Sequence, residues 1–313
     1  MTERAVCVIG TGLIGGSLVR AADKAGRVVW GTSASEETAA QARADGFDVT
    51  TDADAALRRA AEADALVVLA VPLPALDGVL RRVDAVAPGC RLTDAVSVKV
   101  AVADAVARLA PRARYVGGHP MAGTAESGWS AGNGELFTDA AWVVAADDGV
   151  DLDVWADVAE LAWACGARVV PAAADEHDIA VARVSHLPHL FAAVLASVGA
   201  AGDDDLALAL AASSFADGTR VAGTRPELVL AMCEGNRDAL LAAVDDALGR
   251  LGAMRGALAS TGGLAATVRA GHEARLRWAA ARNPRRVRVR RGRATPAELR
   301  EIGRRGEAVV GWA

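Results

Sequence analysis

The run VCVIGTGLIGGSLVRAADKAG, residues 6–26, constrains the fold more than any other part of the chain. An apolar strand signal over 5–10 passes into closely spaced glycines, then into a helical pattern that stops at Gly26. Gly10, Gly12 and Gly15 fit G-x-G-x-x-G at a strand–helix junction. The first glycine permits the tight turn. The second lets a pyrophosphate reach the backbone, and the third lets helix pack on strand. The helix start then offers N–H groups, at Leu13 and Ile14 among others, and a positive dipole end to an anion. A glycine turn without a ligand would need no such continuation.

The continuation is a series. Strand signals fall at 28–33, 64–72, 91–97, 113–120, 140–146 and 167–172, with helical patterns between several of them, as over 36–46. Alternation of this kind implies βαβ units and a parallel sheet covered on both faces. The reading is an α/β chain whose residues 1–172 form a Rossmann-type dinucleotide-binding domain. At the end of the second strand the sequence is GTSAS, with Ser33 as the candidate ribose or phosphate contact. No acid stands there to repel a 2′-phosphate and no adjacent arginine to grip one, so the reading leans slightly to NAD with NADP open.

From about Asp175 the strand signals end and long Ala/Leu helical patterns take over. Residues 173–281 read as an all-helical domain, apolar on so many sides that it should pack against a second subunit as a homodimer. The remainder, 282–313, is a basic tail in which Thr295, Pro296 and Glu298 announce a short capped helix. A net charge of −5 and the lack of aromatic residues among the tail arginines argue against nucleic acid and for a solvated edge strand or an ion-pair surface. Four widely spaced cysteines predict buried thiols in a reducing compartment rather than disulfides or a metal site. The N-terminus enters a strand without a signal-peptide pattern, and no uninterrupted apolar run looks long enough for a bilayer, so the expected location is the cytoplasm, away from membranes.

Only five histidines occur, and one of them, His119, sits in GGHPMAG (117–123) at an expected strand end, where open α/β sheets place their chemistry. Ser97 ends the preceding strand signal; it could cap the next helix or point a hydroxyl toward His119. His177, His186 and His189 cluster at the start of the helical domain. Their spacing suits a shared helical face, yet no acidic partner motif supports a metal, and Pro188 should disturb the helix. Arg220 lies in a glycine-containing break, DGTR, where it could grip a carboxylate or pair with Asp217.

GTGLIGGS (10–17), SVK (97–99), GGHPMAGT (117–124), HD (177–178), SHLPH (185–189) and DGTR (217–220) occur in the order found in prephenate dehydrogenases. Over about residues 4–280 the chain resembles that family, which includes arogenate and cyclohexadienyl dehydrogenases. The resemblance implies oxidative decarboxylation of prephenate to 4-hydroxyphenylpyruvate, with hydride transfer to NAD(P)+, in tyrosine biosynthesis. It implies His119 as acceptor for the substrate hydroxyl and Ser97 as its orienting neighbour. His189 and Arg220 would hold substrate, with Arg220 on a carboxylate, and His177 would support or gate the pocket. The same chemistry on arogenate would give tyrosine directly. A regulatory nucleotide-binding module without turnover would have no need of this whole set. Ala125 and Val229 replace residues that some relatives carry near the pocket, which leaves prephenate and arogenate both open.

Overall fold

The computed structural model describes residues 4–124, 126–202, 204–260 and 262–313; Ala125 lies outside them. It divides into two compact units. One comprises the chain up to Asp178 together with Arg286–Ala313, the other Ile179–Arg285.

In the first unit, β1 (Val6–Ile9), β2 (Val29–Thr32), β3 (Val49–Thr50), β4 (Leu66–Leu69), β5 (Arg91–Asp94) and β6 (Arg114–Tyr115) form a sheet in the order β3-β2-β1-β4-β5-β6. Every pairing in it is parallel. The crossovers are α1 (Leu13–Lys24), α2 (Glu36–Ala44), α3 (Ala53–Glu62), α4 (Leu76–Val86) and α5 (Val100–Leu109). β1 shows why its sequence is an unbroken apolar run. Val6 and Val8 enter one core with Leu18 and Val19, while Cys7 and Ile9 point the other way, toward Leu57 and Leu80. A strand buried on both faces has no polar side to alternate with.

The later strands do not extend this sheet, as their sequence suggested they would. After Tyr115 the chain leaves it, and β7 (Gly118–Pro120), β8 (Ala141–Ala145), β9 (Arg168–Ala172), β10 (Arg286–Val289) and β11 (Ala308–Trp312) build a second, mixed sheet in the order β10-β11-β9-β8-β7. β7 runs antiparallel to β8, and β11 antiparallel to β9. The glycine pair makes the departure possible. A Cβ on Gly118 would stand 2.6 Å from the Asp94 carbonyl oxygen, and one on Gly117 would stand 3.1 Å from the Tyr115 hydroxyl. Only a chain without side chains there can cross so close to the end of β5.

The basic tail supplies β10, α14 (Pro296–Arg304) and β11 to this sheet and its cover. Thr295 and Glu298 form the expected capping box. β10 is an edge strand, and charges on and just after it meet acids of the same unit: Arg286 on Asp139 at 2.9 Å and Arg291 on Glu160 at 2.7 Å. Arginines on an exposed edge also discourage pairing with another chain. All four cysteines are free and buried.

The second unit is helical. α6 (Leu152–Ala164) precedes β9 in the first unit; α7 (Ala174–Val181), a π turn (Ala182–His186) and α8 (Leu187–Gly199) follow as one continuous helix. Pro188 does not interrupt it. The missing N–H and the ring clash of a proline are absorbed where the π turn widens the spiral. The continuous helix is long, although charged residues interrupt its apolar run. Ala174–Gly199, 26 residues, is long and apolar enough to cross a membrane by length and composition. Core and interface helices pass the same test, and this one carries Arg183 and a buried His186. The unit continues with α9 (Leu206–Ala209), α10 (Ser213–Thr219), α11 (Pro226–Gly235), α12 (Arg237–Ala259) and α13 (Ala265–Ala281). Among the described residues its core cluster contains Ala182, Cys233, Leu240 and Ala243 as buried residues, while Val194, Val198, Leu230, Leu248 and Leu258 are exposed.

Candidate active site

At the junction of β1 and α1, Gly10 has φ +97°, and a Cβ there would meet the Ala70 carbonyl at 2.7 Å. A Cβ on Gly15 would stand 1.8 Å from the Gly10 carbonyl oxygen. Gly12 is different: nothing lies within 4 Å of its Cβ position. Two glycines are thus demanded by the protein's own packing, and the third opens onto space. That is the arrangement a dinucleotide pyrophosphate needs at the N–H groups of Leu13 and Ile14. At the end of β2, Ser33 Oγ accepts the Ser35 N–H at 3.1 Å, and Ser35 Oγ caps α2 by accepting the Thr38 N–H at 3.2 Å. The hydroxyls seen in the sequence therefore shape this turn.

His119 lies in β7, half-buried, paired with Val143 of β8. Its Nδ1 is 2.8 Å from His177 Nε2, and His177 Nδ1 is 2.7 Å from Asp178 Oδ1. Asp178 accepts the Lys99 N–H at 2.8 Å and the Val100 N–H at 2.9 Å. It thereby caps α5, so Ser97 does not; Ser97 sits half-buried in the turn between β5 and α5. His177 is 2% exposed, and both its ring nitrogens are engaged by protein groups.

Beneath lies a second buried group. Lys99, 1% exposed, donates through Nζ to Asp94 Oδ1 and, at 2.7 Å, to the Gly118 carbonyl. Asp94 also accepts from the Tyr115 hydroxyl at 2.6 Å, the Val96 N–H at 2.8 Å and the Gly118 N–H at 3.3 Å. The residue before His119 is thus held at both backbone groups, its carbonyl by Lys99 and its N–H by Asp94.

The electrostatics follow from burial and partners. Burial lowers the pKa of His177 most; the Asp178 hydrogen bond opposes that, the Lys99 charge reinforces it, and the net direction is down. Burial alone would raise Asp178, but the bonds from His177 and from the Val100 and Lys99 N–H groups outweigh it and hold the carboxyl below its usual range. Burial also lowers Lys99, against the pull of Asp94.

In the helical unit, His186 is buried with Nδ1 3.2 Å from Asn236 Nδ2. His189 is half-buried, and its Nδ1–H donates to the Ser185 carbonyl at 2.8 Å. Arg220, at the start of a short 3₁₀ turn (Arg220–Gly223), is exposed and makes no ion pair with Asp217 among the described residues. No group of three or more His, Cys, Asp and Glu side chains suited to a metal occurs among the described residues.

The sequence matches two known domain models. Residues 18–171 match the model of the prephenate dehydrogenase nucleotide-binding domain, and residues 173–263 that of the prephenate dehydrogenase dimerization domain. The chain is 33% identical to cyclohexadienyl dehydrogenase of Zymomonas mobilis over 82% of its own length and 89% of the relative's. The chain belongs to the prephenate dehydrogenase family. Its Rossmann-like parallel sheet, followed by helices, is the order of that family's two domains. A crystal structure of a candidate prephenate dehydrogenase from Corynebacterium glutamicum superposes with TM-score 0.92 at 44% identity, covering 100% of both chains. That of Synechocystis arogenate dehydrogenase gives TM-score 0.70 at 29% identity, covering 82% of this chain and 92% of the other. The family is one of dehydrogenases, oxidoreductases of aromatic amino acid biosynthesis, and this chain carries its nucleotide-binding domain.

Proposed function

We propose that the protein oxidises prephenate to 4-hydroxyphenylpyruvate, with loss of carbon dioxide, and that it works as a cytoplasmic homodimer using NAD+. The carrying observation is His119, a half-buried imidazole with one nitrogen committed to a buried histidine–aspartate pair. A neutral imidazole held at one nitrogen can take a hydroxyl proton at the other. A nicotinamide dinucleotide, when bound, supplies the hydride acceptor; Gly10, Gly12, Leu13, Ile14, Gly15 and Ser33 would hold it. His119 accepts the proton of the ring hydroxyl as the carbon bearing it is oxidised. Ser97 orients that hydroxyl. His189 and Arg220 hold the substrate, Arg220 by a carboxylate.

Arogenate is the second reading, supported by the Synechocystis relative's name. Reduced nicotinamide absorbance, followed with prephenate and arogenate crossed against NAD+ and NADP+, separates the possibilities. Turnover on prephenate with NAD+ is expected to be fastest; silence in all four combinations would leave only a module without turnover.

Arg220→Ala tests the carboxylate assignment. The side chain is exposed and has no ion pair among the described residues, so Tm should hold. A lost charge-assisted contact of about 1.5–3 kcal/mol should raise KM about 10–100-fold with a smaller change in kcat. Arg220→Lys should recover only part, since an ammonium lacks the planar fork. An unchanged KM removes Arg220 from the site.

The dimer rests on the second unit's thin core. α12 spans 23 residues yet buries only Leu240 and Ala243. So much exposed apolar surface on helices marks an association face. Sedimentation should give a dimer, and Val198→Asp together with Leu248→Asp should shift it to monomer. A monomeric, fully active parent chain would refute the proposal.

A further inference from the structure

We propose that His177 and Asp178 are positioning residues that fix the tautomer of His119, so that its Nε2 is the nitrogen presented to the substrate hydroxyl. This rests on the reading of His119 as proton acceptor, and extends it to residues that touch no substrate.

The argument starts at α5. Its first N–H groups, at Lys99 and Val100, point at one carboxylate, each oxygen of Asp178 taking one of them. Two backbone donors and the positive end of a helix favour the charged form of an acid. An ionised carboxylate only accepts, so His177 must carry its proton on Nδ1 to bond Asp178 Oδ1. Neutral imidazole holds one proton, which makes His177 Nε2 an acceptor. The 2.8 Å contact to His119 then requires a donor on the other side, and that donor is His119 Nδ1–H. The lone pair of His119 is thereby assigned to Nε2.

A protonated His177 would break this sequence, because its Nε2 would donate instead of accepting. Its burial and the groups around it set its charge: Asp178 bonded to its Nδ1, Lys99 at the start of α5, and Asp94 at the end of β5. Burial and the Lys99 charge oppose protonation, while Asp94 and Asp178 favour it, and the balance lies on the neutral side. Meanwhile Lys99 and Asp94 clamp Gly118 and so fix the strand that carries the ring. A purely structural role, with Asp178 serving only as the cap of α5, would demand none of this order in the two imidazoles.

The experiment is ¹⁵N NMR of the histidine ring nitrogens in the full-length protein labelled at histidine, with a His119→Asn sample to assign the signals. At pH 8 the parent protein should show His119 and His177 both protonated at Nδ1. Asp178→Asn still offers a carbonyl to cap α5, but its amide can donate to His177 Nδ1. The chain should then reverse, with protons on Nε2 of both rings. In the same variant kcat should fall about tenfold or more, as expected when an imidazole is held in the wrong tautomer, with KM changed far less. His119 protonated at Nε2 in the parent, or an unchanged tautomer in Asp178→Asn, overturns the proposal. If Asp178→Asn does not fold, the parent spectrum decides alone. If no substrate turns over, the functional reading fails while the spectrum still tests the tautomer.

Discussion

Replacing His119 by asparagine should lower kcat about 10²–10⁴-fold, the usual worth of a positioned general base, and leave nucleotide affinity unchanged. The side chain lies in β7 of the second sheet, whereas the glycine turn opens from β1 of the first. Asparagine is close in size to the imidazole and is polar, so β7 should keep its pairing with β8. It can hydrogen-bond a hydroxyl but cannot take its proton at neutral pH. The parent enzyme should also lose rate in acid. His177 sits below the ordinary imidazole pKa of about 6.5, so the neutral, accepting form persists at pH 7 and is lost only as pH falls further. Steady-state rates from pH 5 to 9, with nucleotide titrated by fluorescence quenching, check both parts. Parent-like turnover in His119→Asn would end the assignment.

Much of the first unit was legible because its signals are local. An apolar run, a glycine turn and a capped helix are each written within a few neighbouring residues. The departure at Gly117–Gly118 was not, although the glycines were conspicuous. What forces Gly118 is the Asp94 carbonyl, a residue more than twenty positions earlier. The return of the tail to the second sheet was hidden for the same reason, since β11 pairs with β9 across more than a hundred residues. In the site, histidines were easy to suspect because they are rare. Asp178 drew notice only as the second half of a two-residue motif, and Ser97 was the more obvious cap for α5 from its place in the chain. The distant carboxylate won because it satisfies two N–H groups at once. Lys99 stood out only by composition; its buried partnership with Asp94 needed the fold. Arg220 was expected to need a partner within buried helices, but it is exposed.

The glycines of the first turn yield the second large effect, and they should divide by mechanism. Gly15→Ala places a methyl 1.8 Å from the Gly10 carbonyl oxygen, and that oxygen belongs to backbone held at φ +97°. Neither partner can yield without lifting α1 from β1. Overpacking of this sort costs about 1–3 kcal/mol or more, so Tm should drop and nucleotide binding should vanish with the geometry that supports it. Gly12→Ala meets no protein atom within 4 Å, and its φ of −73° suits alanine. Its Tm should therefore match the parent's within error. If a pyrophosphate packs against this position, the same methyl occupies its place, and affinity should fall by about 10²-fold or more, some 3 kcal/mol. Thermal melts of both variants, with and without NAD+, make the comparison direct. The parent should be stabilised by the nucleotide, and Gly12→Ala should melt normally but gain nothing from it. A Gly12→Ala protein that binds NAD+ as tightly as the parent would mean that the open space over Gly12 is not where the phosphates lie.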